Sequence, residues 1–145
     1  MNNNSKIVAM TAALIGISLC LVLTISSENV SAFSGSGSGT PSDPYQIGDV
    51  TQLQEISNEL SAHYILVNDI DASETWEDGF DPIGGVDSAF TGTFDGNGYV
   101  IENLYIRSDN SYVGLFGATG SGAIIEDVGL ENVDVAGDTH VGGLV

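Results

Sequence analysis

The sequence predicts an all-β domain built as a stacked solenoid, and a repeated pattern is the main reason. Glu102–Ile106 is followed after a loop by Val113-Gly114-Leu115-Phe116, and Glu131–Val135 is followed by Val141-Gly142-Gly143-Leu144. A period of roughly 20–50 residues, with apolar residues alternating along short segments, is typical of repeats that bury their apolar faces only against neighbouring repeats. The interval from Asn103 to the equivalent Asn132 falls in this range.

The composition indicates a folded body with an acidic surface. The chain has 20 Asp+Glu against 2 Lys+Arg, a net charge of −18 and 42% hydrophobic residues. Disordered acidic chains usually lack such aliphatic content. Arg107 is the only Lys or Arg after Lys6. A phosphate-neutralising patch is therefore missing from the sequence, which argues against nucleic acid or anionic lipid as a partner.

A secretory signal peptide is predicted over residues 1–32. A short polar start with Lys6 precedes the apolar run Ile7–Ile25, and Val30-Ser31-Ala32 offers the small residues that signal peptidase requires. The alternative is an uncleaved membrane anchor, because the apolar run is near the length that spans a bilayer. The only cysteine, Cys20, lies in this segment. The exported body is thus expected to hold neither disulfide nor thiolate metal site.

A linker and a helix are predicted before the repeats. Residues 33–44 are rich in Gly and Ser and predict a flexible linker, which leaves 45–145 as the folded domain. Asp49 and Gln52 form a capping-box-like pair ahead of apolar residues spaced along one helix face. We expect a helix over about 49–61 that covers the open first coil.

Short strands and turns are predicted over the rest of the chain. Tyr64–Ile70 reads as the first strand, and the aromatics of Trp76–Ala89 are expected to cover the coil below. Phe90–Phe94 and Tyr99–Ile106 read as strands joined by the tight turn Asp95–Gly98.

Polar pairs are predicted to bend the chain between these strands. Glu126-Asp127 and Glu131-Asn132 interrupt the two-residue alternation, and a register change of this kind bends a ribbon. Asn103, Asn132 and Asp127 are expected at equivalent bends, where side-chain amides could bond one another as a ladder. Gly residues near the second half of each repeat are read as turns or close approaches of the backbone.

The ordered motifs resemble the GLUG-motif family of bacterial and archaeal surface proteins, adhesins and large secreted peptidases. The matching stretches are Phe90–Gly98, Ile101–Leu104, Val113–Gly117, Gly122–Val128 and Val141–Val145, and Gly39–Ile47 resembles the usual opening of such domains. The resemblance implies a right-handed parallel β-helix with cell-surface or adhesive roles, and GLUG-type repeats over about 99–145. It assigns the repeat motif to Asn103, Leu104, Gly114, Leu115, Gly117, Asn132, Val133, Gly142, Gly143 and Leu144.

The sequence departs from that family in its number of repeats. One full motif repeat is present, and the second stops at Val145. A repeat cut at this point would expose an unpaired strand edge. We therefore expect a truncated N-terminal portion of a longer repeat protein.

Metal and catalytic motifs are weak. Asp95–Tyr99 resembles part of an EF-hand, but Thr93 and Leu104 stand where calcium ligands are needed, so we expect a hairpin turn instead. A weak surface Ca²⁺ site is left open among Asp69, Asp71, Glu77, Asp78 and Asp81, and no other cofactor is expected. His63 and His140 form no zinc-peptidase motif and read as loop or strand-end residues.

The sequence indicates no catalytic residue. A polysaccharide lyase would need basic residues in its cleft, and the single Arg107 is little evidence for such a cleft. Tyr105 and Tyr112 are read either as stacking on sugar rings or, more usually, as packing across strands.

Together these features predict a secreted or cell-surface, non-catalytic repeat module with an adhesin-like or envelope structural role. Its expected partners are extracellular glycans, protein surfaces or neighbouring envelope subunits, held through many weak contacts. Membrane contact is expected only through the signal peptide or a missing C-terminal anchor. The alternative is a carbohydrate-active β-helix enzyme or an accessory region of a large secreted peptidase.

Overall fold

The computed structural model describes residues 32–145, which form nine short strands, two α-helices and one 3₁₀ helix. In chain order these are β1 (Tyr45–Ile47), α1 (Val50–Glu55), the 3₁₀ helix (Ile56–Asn58), β2 (His63–Leu66), β3 (Ile70–Asp71), α2 (Thr75–Asp78), β4 (Thr93–Asp95), β5 (Val100–Glu102), β6 (Tyr105–Arg107), β7 (Ile124–Glu126), β8 (Gly129–Glu131) and β9 (Asp134–Ala136).

All pairing between these strands is parallel and joins segments that are distant in sequence. The strands form three sheets with the orders β1-β2-β4-β7, β3-β5-β8 and β6-β9. Ile101 lies opposite Leu130, and Tyr105 lies opposite Asp134. Each of these pairs is separated by the same interval as Asn103 and Asn132. The spacing of the repeated pattern is therefore the offset at which β5 pairs with β8 and β6 with β9.

The predicted fold class, an all-β right-handed parallel β-helix, is corrected by this arrangement. The described residues form three separate sheets of four, three and two strands, with short helices between them, and show no closed coil or solenoid. Each strand is only two to four residues long. The strands are short because polar residues turn the chain at their ends, which limits each ladder to a few hydrogen bonds.

Left-handed turns end most strands in the second half of the chain. Asn97, Asn103, Asp127 and Asn132 have φ between 49° and 59°. Asn and Asp tolerate this region better than other side chains because their short polar groups bond locally. Asn103 divides the predicted strand Tyr99–Ile106 into β5 and β6.

The predicted turn at Asp95–Gly98 is a corner rather than a hairpin. It joins β4 to β5, and these strands lie in different sheets. Asn97 Nδ2 donates to Leu66 O at 3.3 Å, so the corner is bonded to the end of β2. The same polar turn chemistry serves both kinds of turn, which is why the sequence does not distinguish them.

The core consists of the central residues of the strands together with α1. Phe94, Ile101 and Ile106 are fully buried in β4, β5 and β6. Their partners Ile125, Leu130 and Val135 in β7, β8 and β9 are only partly buried. The core is therefore less enclosed along β7, β8 and β9 than along the strands before them.

The predicted helix over 49–61 is shorter in the structure, and its cap is present. Asp49 accepts a hydrogen bond from Gln52 N at 2.8 Å, and Gln52 Oε1 accepts one from Gly48 N at 2.7 Å. Leu53 and Ile56 are fully buried. The chain tightens into the 3₁₀ helix and leaves helical geometry at Glu59, where φ is −145° and ψ is 80°.

Residues 33–44, predicted to be a flexible linker, lie against β1 and β2. Gln46 N donates to Ser36 O at 2.8 Å, and His63 N donates to Gly39 O at 2.9 Å. The Phe33 ring lies 4.5 Å from the Tyr45 ring, measured between centroids. Backbone hydrogen bonds and aromatic packing thus fix this segment in spite of its Gly and Ser content.

The predicted signal peptide lies outside the described residues except for Ala32. Within residues 32–145, no helix has the length and apolar character that a membrane crossing requires.

A side-chain hydrogen bond links two neighbouring turns. Asn103 Nδ2 donates to Asp71 Oδ1 at 3.1 Å, and Ser73 N donates to the same oxygen at 3.0 Å. These bonds lower the pKa of Asp71 below its ordinary value, and the bond from Asn103 has a larger effect than those from Ser73. The predicted amide ladder is therefore corrected at this position, because the Asn103 amide bonds a carboxylate rather than Asn132.

We predict that Asn103→Gly raises the pKa of Asp71 towards its ordinary value while the glycine keeps the left-handed turn. A lowered folded pKa stabilises the protein above the unfolded carboxyl pKa, and this contribution is lost as pH falls through the folded value. The unfolding free energy of Asn103→Gly should therefore fall less between neutral pH and about pH 3. NMR titration of Asp71 and urea unfolding measure both effects.

Asn132→Gly is the matched control, since Asn132 has φ of 49° and is exposed. It should leave the Asp71 titration unchanged. Equal Asp71 pKa values in the parent and in Asn103→Gly would contradict the assignment of the shift to this bond.

Candidate functional site

An outward surface lies on and around strand β6. We call Trp76 of α2 together with Tyr105 and Arg107 of β6 the platform, and the platform with the two grooves described below the β6 face. Ile106 is fully buried, so its neighbours Tyr105 and Arg107 project to the opposite side of the strand. The sequence alternation at β6 thus places an aromatic ring and a cation on one surface.

Trp76 forms the exposed end of this surface. Its ring stacks on Tyr105 with centroids 4.2 Å apart and 20° between the planes. The aromatics of Trp76–Ala89 are expected from the sequence to cover the core; Phe80 is buried at 5% exposure, but Trp76 is 55% exposed. The prediction is thus wrong for Trp76, whose indole is supported on one face by Tyr105 and open to solvent.

A buried hydroxyl positions the stacked rings. Thr75 is 2% exposed, and its Oγ1 donates to Ala72 O at 2.6 Å and accepts from Tyr105 N at 2.9 Å. Gly79, with φ of 80°, ends α2 and donates its N–H to Thr75 O. One side chain therefore ties α2 to β6, which sets the position of Trp76 over Tyr105.

Arg107 also contacts the Tyr105 ring, with its guanidinium carbon 5.4 Å from the ring centroid. This geometry is a cation–π contact. The parallel register places Asp134 beside Tyr105 and Ala136 beside Arg107. The platform thus has a carboxylate and a small side chain along its edge.

Two neighbouring grooves lie beside Arg107 and Ser108. The first has a volume of about 470 Å³ and is lined by Arg107, Ser108, Asp109, Ala136, Gly137 and Asp138. The second has a volume of about 540 Å³ and is lined by Asp81, Pro82, Gly84, Gly85, Val86, Asp87, Ser88, Ser108, Asn110, Ser111 and Tyr112. Arg107 lines the first groove, Ser108 lines both grooves and Tyr112 lines the second, so the three parts of the β6 face share residues.

A second pair of stacked rings marks the far end of the grooves. Tyr112 and His140 have centroids 4.5 Å apart and 9° between their planes. Both residues are in the left-handed region, with φ of 66° and 52°. The hydroxyls of Thr139 and Ser111 share a hydrogen bond of 2.7 Å beside these rings. Tyr105 and Tyr112 therefore both pack on another ring, while Tyr112 stays 43% exposed.

Carboxylates line up along two of the sheets. Asp71, Glu102 and Glu131 are in register across β3, β5 and β8, and Asp95 is in register with Glu126. Like charges directly opposite each other in paired strands repel. These two sheets therefore carry rows of carboxylates that repel anions, and dissolved salt weakens this repulsion.

Two of the five residues of the predicted weak Ca²⁺ site, Asp69 and Asp71, accept protein hydrogen bonds through their carboxylates. Asp69 Oδ1 accepts from Val100 N at 2.9 Å, and Asp71 is bonded to Ser73 and Asn103. Asp78 and Glu77 lie in α2, while Asp81 N donates to Gln54 Oε1. Among residues 32–145, the structure gathers no three His, Cys, Asp or Glu side chains into a metal-binding group.

The two copies of the repeat motif lie side by side. Val113 is bridged in parallel to Val141, and Leu115 N donates to Gly143 O at 3.1 Å. Leu104 and Leu115 are fully buried, whereas Val133 and Leu144 are partly buried.

Two repeat glycines sit where backbones meet closely. A side chain at Gly117 would begin 2.6 Å from Gly84 O, and one at Gly114 would begin 3.0 Å from Gly142 O. Asn103 and Asn132 occupy the left-handed turns. The repeat-motif residues therefore have packing and turning roles in the structure.

The sequence identifies Tyr105 and Tyr112 as candidate stacking residues, and it identifies Arg107 only as an isolated basic residue. The alternation around Ile106 is the signal that Tyr105 and Arg107 share a face. The position of Trp76 depends on the docking of α2 through Thr75, and the sequence carries no comparable signal for it.

Comparison with known proteins gives two relatives. The chain is 41% identical over 144 residues to halomucin of Haloquadratum walsbyi. This alignment covers 91% of the chain and 2% of halomucin. It is 34% identical over 113 residues to a "Putative Gly-rich membrane protein" of Evansella cellulosilytica. This second alignment covers 74% of the chain and 13% of that protein. The chain thus spans a small part of either relative.

No family model matches the chain, so the GLUG-motif resemblance stays a prediction. No solved structure matches it.

We predict that Thr75→Val loosens the attachment of α2 to β6. The substitution keeps the shape of the side chain but leaves the Tyr105 amide without its acceptor, which costs about 1–3 kcal/mol for a buried group. Hydrogen exchange at the Tyr105 amide should accelerate, and the free energy of unfolding in urea should fall. Thr75→Ser is the matched control because it keeps the hydroxyl, and its Tyr105 amide should stay protected. Equal exchange in the two variants would contradict the role of the hydroxyl.

Proposed function

We propose that this chain is a non-catalytic module of a cell-surface or membrane-associated protein, with an adhesin-like role in which the β6 face binds an extended partner. The observation that carries the proposal is the exposed Trp76–Tyr105–Arg107 platform, which continues into two grooves. A surface that combines exposed rings with polar groups suits recognition of a ligand.

The surface or membrane location is supported by the two relatives. One is named halomucin and the other a putative Gly-rich membrane protein. The predicted signal peptide over residues 1–32 also supports export. The GLUG-motif resemblance agrees with such a location and forms part of the proposal.

The proposed partners are extracellular glycans, protein surfaces or neighbouring envelope subunits. The acidic surface disfavours nucleic acid, since Arg107 is the only Lys or Arg of the described residues. A face of this size would bind one ligand unit weakly. Several such modules in a long surface protein would together bind a repeating ligand much more tightly than one module does, through avidity.

A carbohydrate-active enzyme is the second candidate, because Asp109 and Asp138 both line the groove beside Arg107. Two carboxylates in one groove are the groups that glycosidases use. The non-catalytic module is preferred because the rings and small polar groups of the β6 face account for binding without a reaction.

We predict that the full chain, expressed in a bacterial host with a C-terminal epitope, displays the epitope outside the cytoplasmic membrane. Protease added to intact cells or spheroplasts should remove the epitope. Leu14→Arg breaks the apolar run of the leader and should keep the epitope protected. An epitope of the parent chain that is cleaved only after lysis would contradict the proposal.

The enzyme alternative is tested on the same material. The purified chain is incubated with neutral and acidic polysaccharides, and reducing ends and unsaturated products are measured. Product formation that disappears in Asp109→Asn or Asp138→Asn would overturn the non-catalytic assignment. An unchanged polysaccharide supports it.

A further inference from the structure

The indole of Trp76 offers one free flat face. Tyr105 covers the other face at a centroid distance of 4.2 Å, and the residue is 55% exposed. Thr75 fixes α2 on β6, so the ring is held in place before any ligand arrives. A rigid ring binds with little loss of side-chain entropy.

The groove beside the platform carries hydrogen-bonding groups on its walls. Ser108, Asp109 and Asp138 supply a hydroxyl and two carboxylates, and Ala136 and Gly137 leave room for a ligand. Arg107 contributes N–H donors at the boundary between platform and groove. The core of a protein–protein interface is usually more apolar and depleted in Asp and Ser.

This combination matches the chemistry of a sugar ring. One face of a hexose presents C–H groups, which pack on an aromatic face, and its edge presents hydroxyls, which donate to carboxylates and accept from a guanidinium. A hexose on the free face of Trp76 lies on the side of the indole away from Tyr105, whose ring is in contact with Arg107. The groove beside Arg107 would therefore hold another sugar of the same chain. That sugar would have Ser108, Asp109 and Asp138 within the groove as partners for its hydroxyls.

The negative charge of the protein favours neutral sugar chains over anionic ones. The chain has a net charge of −18, and Asp109, Asp134 and Asp138 lie on or beside the platform and its groove. A uronate or sulfated chain would meet this field and be repelled, whereas a neutral chain would not.

We propose that the β6 face is a binding site for a neutral sugar chain, with one ring stacked on Trp76 and the hydroxyls of another sugar of the chain bonded in the groove of Arg107, Ser108, Asp109 and Asp138. The assignment rests on the proposed function and names the ligand class of that site.

Trp76 is the only tryptophan of the chain, so its fluorescence reports directly from the site. The full chain is titrated with the neutral oligosaccharides cellohexaose and mannohexaose, and with hexagalacturonate as a charged chain of equal length. At least one neutral hexaose should change the Trp76 emission in a saturable way, with a Kd near or below about 1 mM. Hexagalacturonate should bind at least about tenfold more weakly.

Variants separate stacking from general surface effects, with binding followed by calorimetry where the tryptophan is removed. Trp76→Leu keeps apolar area but loses the flat ring and should weaken binding about tenfold or more, while Trp76→Phe should stay within about threefold. Arg107→Gln should weaken binding severalfold. Val67→Ala changes a 41% exposed apolar side chain outside the β6 face and should bind like the parent.

Three titration results would overturn the inference: no response to either neutral hexaose at about 10 mM, equal affinity in Trp76→Leu, or tighter binding of hexagalacturonate. Binding that is found only with a protein partner at this face would overturn it as well. A chain that reaches the cell exterior but binds no neutral sugar refutes the ligand class and leaves the surface role intact. A chain retained inside the cell refutes the surface role whatever the titration shows.

Discussion

The parallel, in-register pairing of segments that are distant in sequence is the constraint on which the rest of the structure depends. It places Phe94 beside Ile125, Ile101 beside Leu130 and Ile106 beside Val135, so that each of these six strands contributes one inward apolar residue to a shared core. Strands of two to four residues cannot be stable alone, because they make few hydrogen bonds and bury little area. Their stability comes from neighbours that are far away in the chain.

The same pairing places the outward groups. The residues on either side of each buried position project to the surface, which aligns carboxylates across β3, β5 and β8 and sets Tyr105 and Arg107 on one face of β6. The repulsion among aligned carboxylates is a cost that the buried core must offset. The β6 face is therefore an outcome of strand register, completed by the docking of α2 through Thr75.

Local signals predict the elements better than their assembly. The Asp49–Gln52 cap, the turns at Asn103 and Asn132 and the interval between these two turns can all be recognised, since each depends on nearby residues or on a simple period. The prediction of a closed β-helix was wrong, because periodicity does not report how the short strands divide into separate sheets. The prediction for Trp76 failed for a related reason: a hydrogen bond between Thr75 and Tyr105, which are distant in sequence, decides its position.

Disulfide trapping tests the register most directly. In a Cys20→Ser background, Asp95→Cys combined with Glu126→Cys places two outward thiols opposite each other on β4 and β7. Paired strands lie about 4.8 Å apart, within the range that a disulfide spans. The register predicts rapid cross-linking of this pair on mild oxidation and slow cross-linking of Asp95→Cys with Ile124→Cys, which is displaced along β7. Equal rates, or faster reaction of the displaced pair, would contradict the in-register parallel pairing.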